Sequence, residues 1–261
     1  MNDRVSFERL RAPSRWFARF HEPRRPSLRL FCFPYAGGSA SVFRHWARQM
    51  DPRIDVVAVQ LPGRGPRLDE APWTEFDGLS AVLADAVAHE AGALRFAFFG
   101  HSMGALLMFE VARRLAAAGA RTPECVFASG RQAPHLPQPR LQRHRMNDAD
   151  FIDELRRLQG TPAEILDNPE LLAILMPTIR GDFALLDSWA FADSAPLALP
   201  LYALAGRSDA HVALDAARQW QRWTGAEFEL ISYSGGHFFL HEQEPLVVHD
   251  VSQRLNGWLF G

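Results

Sequence analysis

The sequence contains no lysine, and all 28 of its basic residues are arginine. This absence excludes mechanisms that need a lysine amine: Schiff-base catalysis, a phosphate-binding P-loop lysine and a kinase-type lysine. With 30 acidic residues the formal net charge is −2, which offers no excess of positive charge for binding nucleic acid or an anionic membrane. We therefore expect no nucleic-acid partner and no membrane partner.

Cysteine and long apolar runs are also scarce. Cys32 and Cys125 each lie in a short apolar run, which favours buried thiols over a disulfide framework or a metal cluster. The N-terminal residues mix acids and arginines without the apolar stretch of a signal peptide. No run approaches the roughly 18 apolar residues that a membrane-spanning helix needs. The sequence therefore predicts a cytoplasmic protein without a bound metal.

The remainder is an ordinary globular composition, with 48% hydrophobic residues in a chain of 261. Short β-rich runs alternate with stretches of helical period. The β-rich runs are 28–33, 54–60, 95–99, 124–129, 199–205 and 227–232, and the helical stretches are 41–50, 76–91, 103–118, 210–223 and 245–259. Apolar strands separated by amphipathic helices predict parallel β-α-β units, so the expected fold is α/β, a doubly wound and mostly parallel sheet.

One segment, residues 137–190, breaks this alternation. It has no strand candidate but carries helix-start signals at Asn147, at a capping box beginning with Thr161, and at Asn168. A helical insertion in an α/β sheet usually covers the crevice at the carboxyl ends of the strands, so we predict a lid. The expected organisation is an N-terminal extension (1–27), a core in two parts (28–136 and 191–261) and the lid insertion (137–190).

The strongest local signal is Gly100-His101-Ser102-Met103-Gly104, which follows an apolar run and opens a helical one. This is the G-x-S-x-G pattern of a nucleophile elbow, a sharp strand-to-helix turn that exposes a serine hydroxyl. Side chains at positions 100 and 104 would collide with the neighbouring strand and helix, which explains the two glycines. The helix N-terminus favours negative charge developing near the hydroxyl. We therefore predict Ser102 as a catalytic nucleophile.

A serine nucleophile needs a base, and in folds with this elbow the order along the chain is Ser, then Asp or Glu, then His. Of the 10 histidines, four precede Ser102, two lie near or in the insertion, and His211 and His249 lie in predicted helices, which leaves His237 and His241. We prefer His237, on the Ser-Gly-Gly-His loop, because a solvated helix start explains His241. Asp209 is the predicted acid that holds the imidazole tautomer. Its competing role is N-cap of helix 210–223, and Asp215 inside that helix is the rival carboxylate.

The oxyanion hole should combine two backbone N–H groups. One is that of Met103, the residue after the nucleophile. The other should come from the loop after the first strand, where Gly37 and Gly38 allow amides to turn toward an anion. The residues alone leave both Tyr35 and Ala36 open as the source of this second amide.

Taken together, these motifs resemble one family, the stand-alone (type II) thioesterases that serve nonribosomal peptide and polyketide synthases. The similar stretches, within residues 30–242, are FPYAGGSASVFRHWA, VQLPGRGPR, FFGHSMGALLMFEVARRL, ASGRQAPH, LPLYALAGRSDAHV and SGGHFFLHE. The resemblance implies an α/β-hydrolase fold with a mobile lid. It also implies a catalytic triad of Ser102, Asp209 and His237, with the amides of Ala36 and Met103 as the oxyanion hole. Gly65, in the PGRGPR loop, stands where the family often has an acid, which leaves the role of that loop open.

The same resemblance implies a function. The substrate would be an acyl or aminoacyl thioester on the phosphopantetheine arm of a carrier protein, hydrolysed through an acyl-serine intermediate. Action in trans is expected because the nearest match to a carrier-type serine motif, Asp187-Ser188, lacks the glycine. We also expect a monomer. The phosphopantetheine arrives with the substrate, so no separate cofactor is expected. Three other functions stay open: a carboxylesterase or lipase with the same triad, an acyl-CoA thioesterase, and a hydrolase-fold binding protein without catalysis.

Two further features have alternative interpretations. Arginines in residues 1–27 and at Arg140, Arg143 and Arg145 form either a docking face for an acidic carrier protein or ordinary solvated surface. Apolar residues of the predicted lid form either the wall of an acyl pocket or ordinary packing. These lid residues are Leu171, Leu172, Ile174, Leu175 and Met176.

Overall fold

The computed structural model describes residues 15–138 and 141–259. Residues 1–14 of the predicted extension, and Arg140, lie outside the described residues. Within those ranges, seven strands form one sheet in the spatial order β1-β3-β2-β4-β5-β6-β7, parallel throughout except for the antiparallel pair of β1 and β3. The strands are β1 (Phe17–Ala18), β2 (Leu28–Phe33), β3 (Ile54–Val59), β4 (Arg95–His101), β5 (Val126–Ser129), β6 (Leu201–Gly206) and β7 (Phe228–Tyr233).

Helices cover both faces of the sheet, as predicted for a doubly wound fold. They are α1 (Trp46–Gln49), α2 (Phe76–Ala91), α3 (Met103–Ala117), α4 (Asp148–Leu158), α5 (Ala163–Leu166), α6 (Pro169–Ser188), α7 (Leu214–Arg218), α8 (Phe239–Glu242) and α9 (Glu244–Leu255). Alternate residues of β2 serve opposite faces: Phe31 and Phe33 join the apolar core with α2 and α3, whereas Leu30 and Cys32 join the core with α1 and α9. Cys32 and the other cysteine, Cys125, are free and buried, as expected.

Two predicted helices are broken in the structure. Residues 41–50 form a 3-10 turn, Ala40–Phe43, and the short α1, because Phe43 and Trp46 both pack edge-on against Phe99, 6.0 and 4.6 Å away between ring centroids. Residues 210–223 form only α7 and a 3-10 turn. Asp209 accepts hydrogen bonds from the N–H groups of His211 and Val212, an arrangement that holds the chain in a loop until α7 begins at Leu214.

Helices α4, α5 and α6 lie between β5 and β6, in the segment that interrupts the strand-helix alternation, and are called here the insertion helices. Two of their starts agree with the sequence signals, since Asn147 caps α4 and Asn168 caps α6 through side-chain oxygens. The capping box predicted at Thr161 is wrong. Pro162 is extended, with ψ of 143°, and itself occupies the N-cap of α5 without a side-chain hydrogen bond.

The described part of the N-terminal extension adds a short edge strand that the sequence analysis did not predict. Phe17 of β1 packs on Phe31 at 5.2 Å between ring centroids, and Arg19 bonds the carboxylates of Asp55 and Glu90. Among the described residues, no helix combines the length and hydropathy needed to cross a membrane. In the same ranges, no group of three or more His, Cys, Asp or Glu side chains is arranged to hold a metal ion.

Candidate active site

Ser102 occupies the turn between β4 and α3, as the G-x-S-x-G pattern predicts. Its backbone lies at φ 53° and ψ −110°, a conformation that non-glycine residues rarely adopt, and its N–H donates to the carbonyl of Ser129 on β5 at 2.8 Å. A Cβ on Gly100 would lie 2.2 Å from the carbonyl oxygen of Gly104. A Cβ on Gly104 would lie 2.1 Å from that of Phe33. The turn therefore depends on the two glycines that flank Ser102.

Asp209 and His237 meet at the carboxyl ends of β6 and β7. Nδ1 of His237 lies 2.8 Å from Oδ2 of Asp209, while Oδ1 of Asp209 accepts the N–H groups of His211 and Val212 at 2.8 and 3.1 Å. Burial alone would raise the pKa of Asp209. The hydrogen bond and charge of His237, together with the two amides, outweigh burial and hold this pKa below its usual value. The carboxylate is thus held as an anion that orients the imidazole.

The other carboxylate and histidine considered in the sequence lie elsewhere. Asp215 is in the first turn of α7. His241 is on α8, where its Nε2 lies 2.9 Å from the hydroxyl of Tyr35. His211, which the sequence places within a helix, is instead in the loop before α7 and faces His237 at 5.7 Å between ring centroids.

The loop after β2 carries Tyr35 and Ala36, the two candidates for the second oxyanion donor. Tyr35 and Ala36 both line a cavity that also contains Ser102 and His237, and the N–H of Gly38 closes a turn onto the carbonyl of Tyr35 at 2.9 Å. Met103 begins α3, so its N–H belongs to the free N-terminus of that helix. Met103 thus adjoins Ser102 in the chain, and Ala36 lines the same cavity as Ser102.

The cavity has a volume of about 400 Å³, which suits a small organic ligand. The insertion helices supply much of its apolar lining. These apolar residues are Leu155, Leu158, Ile179, Phe183, Leu186 and, beyond α6, Trp189. The lid residues proposed from the sequence as pocket wall are not among them: Leu172 packs within the insertion, and Leu171 and Ile174 are 43% and 51% exposed. For those residues ordinary packing and surface exposure are the correct interpretations.

Polar groups that the sequence analysis did not single out also reach the cavity. Arg131, after β5, donates to Oε1 of Gln138 at 2.7 Å, and burial together with the nearby charge of Arg143 lowers its pKa to about 10. Arg143 is paired with Glu154 of α4, and Arg145 donates to Gln142. Arg143 is thus paired and lines the cavity, and the docking face considered in the sequence analysis stays a prediction.

A buried ion pair contacts the loop after β2, residues 34–39, which is called here the oxyanion loop after its predicted role. The guanidinium of Arg64, from the PGRGPR loop, makes two hydrogen bonds of 2.7 and 2.6 Å to the carboxylate of Asp182 on α6. No local sequence pattern indicates this pair, because its members are 118 residues apart. The role of the PGRGPR loop, left open above, is therefore linked to α6.

The order of the sheet, with a strained serine between a central strand and the helix that follows it, is that of an α/β-hydrolase. The structure of human thioesterase 2, which is 22% identical, shares this fold with a TM-score of 0.69. The fold thus places the protein among the α/β-hydrolases, and sequence similarity identifies the family within that class.

The chain belongs to the thioesterase family, since the family model "Thioesterase domain" matches residues 28–255. It is 37% identical over 253 residues to the linear gramicidin dehydrogenase LgrE of Brevibacillus parabrevis, covering 96% of each chain. It is 38% identical to the thioesterase PikA5 of Streptomyces venezuelae, covering 92% of this chain and 85% of PikA5. The structure of the type II thioesterase BorB, from the borrelidin biosynthetic cluster, matches with a TM-score of 0.85 at 34% identity, over 93% of this chain and 98% of BorB. The protein is accordingly a thioester hydrolase, similar to type II thioesterases of antibiotic biosynthesis.

Proposed function

We propose that this chain hydrolyses acyl or aminoacyl thioesters on the phosphopantetheine arm of carrier proteins, in trans and through an acyl-serine intermediate. The supporting observation is one cavity lined by both Ser102 and His237, with Asp209 bonded to Nδ1 of that histidine. The similarity to BorB, a type II thioesterase from the borrelidin biosynthetic cluster, supports the biosynthetic setting. The cytoplasmic location expected from the sequence stays a prediction.

In the first half-reaction Ser102 Oγ attacks the thioester carbonyl while Nε2 of His237 takes its proton. The N–H groups of Ala36 and Met103 receive the oxyanion, which needs donors about 3 Å away and fixed in advance. Collapse of the tetrahedral intermediate breaks the C–S bond. The imidazolium returns its proton to the departing thiolate, which leaves a free pantetheine thiol and acyl-Ser102.

In the second half-reaction water attacks the acyl-serine ester, with His237 again taking the proton and returning it to Ser102 Oγ. The products are the free acid and the regenerated enzyme. Asp209 keeps the Nδ1 proton in place and stabilises the imidazolium without taking that proton. All of these groups belong to one chain, so we propose that a monomer is sufficient and that no separate cofactor takes part.

The substrate class is tested with one acyl group presented on a carrier protein, on coenzyme A and as a p-nitrophenyl ester. We expect kcat/KM to be highest for the loaded carrier. A preference for acyl-CoA would indicate a free-acyl thioesterase, and a preference for the oxygen ester would indicate a carboxylesterase or lipase. Either result would replace the proposal. A fluorophosphonate should label Ser102 and leave the Ser102→Ala variant unlabelled, whereas no labelling of the wild type would favour a binding protein.

The proposed role of Asp209 is tested by Asp209→Asn. The amide oxygen of Asn can still accept the N–H groups of His211 and Val212, so the loop is retained, but the proper imidazole tautomer is no longer enforced. We expect kcat to fall by about 10⁴, as in the serine-protease template. Asp215→Asn, in the first turn of α7, is the matched control and should keep wild-type activity. A loss of only a few-fold for Asp209→Asn would reduce Asp209 to a structural role.

A further inference from the structure

Arg64 and Asp182 form the only ion pair, among the described residues, in which both side chains are less than 5% exposed. Their side chains are 4% and 2% exposed. A buried ion pair of this kind contributes little net stability, because desolvation of the two charges offsets their attraction. Replacement of such a pair by apolar residues is often neutral or stabilising. Its presence directly behind the oxyanion loop therefore calls for an explanation other than stability.

The pair holds the oxyanion loop at two backbone groups. Oδ2 of Asp182 accepts the N–H of Gly37 at 2.7 Å, and Nη1 of Arg64 donates to the carbonyl of Gly38 at 3.1 Å. The same Oδ2 and Nη1 atoms are bonded to each other at 2.7 Å, so the four groups form one closed set of contacts. A carboxylate and a guanidinium are stronger partners for backbone groups than neutral side chains or water are.

These contacts act on the peptide that carries the Ala36 N–H. The carbonyl of that peptide belongs to Tyr35 and accepts the N–H of Gly38, inside the turn that the ion pair holds. Because a trans peptide is planar, its N–H points opposite to its carbonyl. The Ala36 N–H is therefore directed out of the turn, and Ala36 lines the cavity that contains Ser102.

The ion pair of Arg64 and Asp182 is also connected to the cavity wall. Asp182 lies on α6, between Ile179 and Phe183, which both line the cavity. A second contact joins the same two segments, since the hydroxyl of Thr178 on α6 donates to the carbonyl of Gly63 in the PGRGPR loop. The wall of the cavity and the oxyanion loop are thus connected through buried polar contacts.

We infer that Arg64 and Asp182 are positioning residues for the oxyanion hole, which hold the Ala36 N–H in the orientation that the tetrahedral intermediate requires. The inference rests on the proposed function, because it takes Ala36 as an oxyanion donor. It gives the PGRGPR loop a role through Arg64, although residues 62–67 do not line the cavity that contains Ser102. The pair acts through the loop and not by contact with the substrate.

The decisive variant is the double substitution Arg64→Met with Asp182→Leu, because an apolar pair retains the fold but no longer binds Gly37 and Gly38. We expect a urea midpoint close to that of the wild type, a kcat reduced by about 10² to 10³, the loss typical of one oxyanion donor, and a KM changed less than about twofold. The affinity of an alkyl boronic acid, which forms a tetrahedral adduct with the serine, should fall by a similar factor. The affinity of the free acid product should not change.

The matched control is Arg67→Met with Glu70→Leu. Arg67 is a buried arginine of the same loop and is paired with Glu70, but none of its described contacts reaches residues 35–39. This control should keep wild-type kcat and boronic acid affinity. Asp182→Asn, which retains an oxygen for the Gly37 N–H but loses the charge, should give a smaller loss of kcat than the apolar pair.

Two results would overturn the inference while leaving the proposed function intact. One is a folded apolar pair with wild-type kcat, and the other is a lower kcat without weaker binding of the boronic acid. A wild type that neither hydrolyses thioesters nor is labelled at Ser102 would overturn both. The two failures are therefore distinguishable in one set of measurements.

Discussion

His101, the residue before the nucleophile, is a histidine that the proposed reaction does not use. It is fully buried, its Nδ1 lies 2.9 Å from the hydroxyl of Ser129, and its ring is 5.3 Å from that of His237 between centroids. Burial, with smaller contributions from the charges of His237 and His241, lowers its pKa well below 6.5. The folded protein therefore keeps this imidazole neutral, whereas the unfolded chain protonates it in mild acid.

This difference predicts a pH dependence of stability. Below about pH 6.5 the unfolded state binds a proton at His101 that the folded state does not, so the free energy of unfolding falls with decreasing pH, by at most about 1.4 kcal/mol per unit. Above that pH His101 is neutral in both the folded and the unfolded state, so it no longer makes the free energy of unfolding depend on pH. Urea unfolding of His101→Gln and wild type between pH 7.5 and about 5.5 should show the smaller slope for the variant. His249→Gln, at an exposed position on α9, is the control and should keep the wild-type slope. Equal slopes for wild type and His101→Gln would contradict the prediction.

At the scale of elements, the close approach of β2, β4 and α3 sets the position of the nucleophile. β2 lies beside β4 in the sheet, and α3 begins at the end of β4, so Gly104 has no room for a side chain against the carbonyl of Phe33. The backbone of Gly104 is not in the left-handed region, so its requirement for glycine is steric alone. This makes the site suitable for a stability measurement.

We expect Gly104→Ala to lower the free energy of unfolding by more than about 3 kcal/mol, because backbone atoms of β2 must move to admit the methyl group. Gly257→Ala, where a Cβ would meet nothing within 4 Å, should change it by less than about 0.5 kcal/mol. Equilibrium urea denaturation of the two variants measures both values. A Gly104→Ala variant within about 1 kcal/mol of wild type would show that the turn can relax.

The sequence predicts an element correctly when neighbouring residues in the chain determine it. The bounds of α2, the elbow at Ser102 and the caps at Asn147 and Asn168 follow from adjacent residues, and the structure agrees with each. The stretch 41–50 was not predictable in detail, because aromatic packing on Phe99 overrides its helical period. A contact between residues far apart in the chain cannot be inferred from the spacing of apolar residues within one segment.

In the candidate site, too, the predicted features have a signal in the sequence and the unpredicted ones depend on contacts between distant segments. The hydrogen bond between Asp209 and His237 was expected because the family order of Ser, Asp and His, together with parallel strands, places loops from successive strands at one edge. The pair of Arg64 and Asp182 was not predicted, because it joins two segments whose proximity depends on how α6 packs. Arg131 was missed for a related reason, since only the enclosed shape of the cavity distinguishes it from a surface arginine.

For the whole molecule, the arrangement separates chemistry from substrate selection. The sheet supplies Ser102, Asp209 and His237 from loops at its carboxyl edge, whereas the insertion helices supply much of the apolar lining of the cavity. We propose that the first group determines whether a thioester is cleaved. We propose that the second determines which acyl groups fit beside Ser102, so changes in α4 or α6 should alter specificity without altering the reaction.

Leu158→Trp tests this separation, because Leu158 on α4 lines the cavity and a larger side chain there reduces its volume of about 400 Å³. The assay compares N-acetylcysteamine thioesters of two acyl groups. We expect kcat/KM for a dodecanoyl group to fall by at least about tenfold, because exclusion of one methylene group from an apolar pocket costs about 1–3 kcal/mol. The value for an acetyl group should stay within about twofold of wild type, because the reacting groups are untouched. Leu171→Trp, on the exposed surface of α6, is the matched control and should change neither value. Equal losses for both acyl groups would mean that α4 positions the catalytic residues as well, and the division between sheet and insertion would then be wrong.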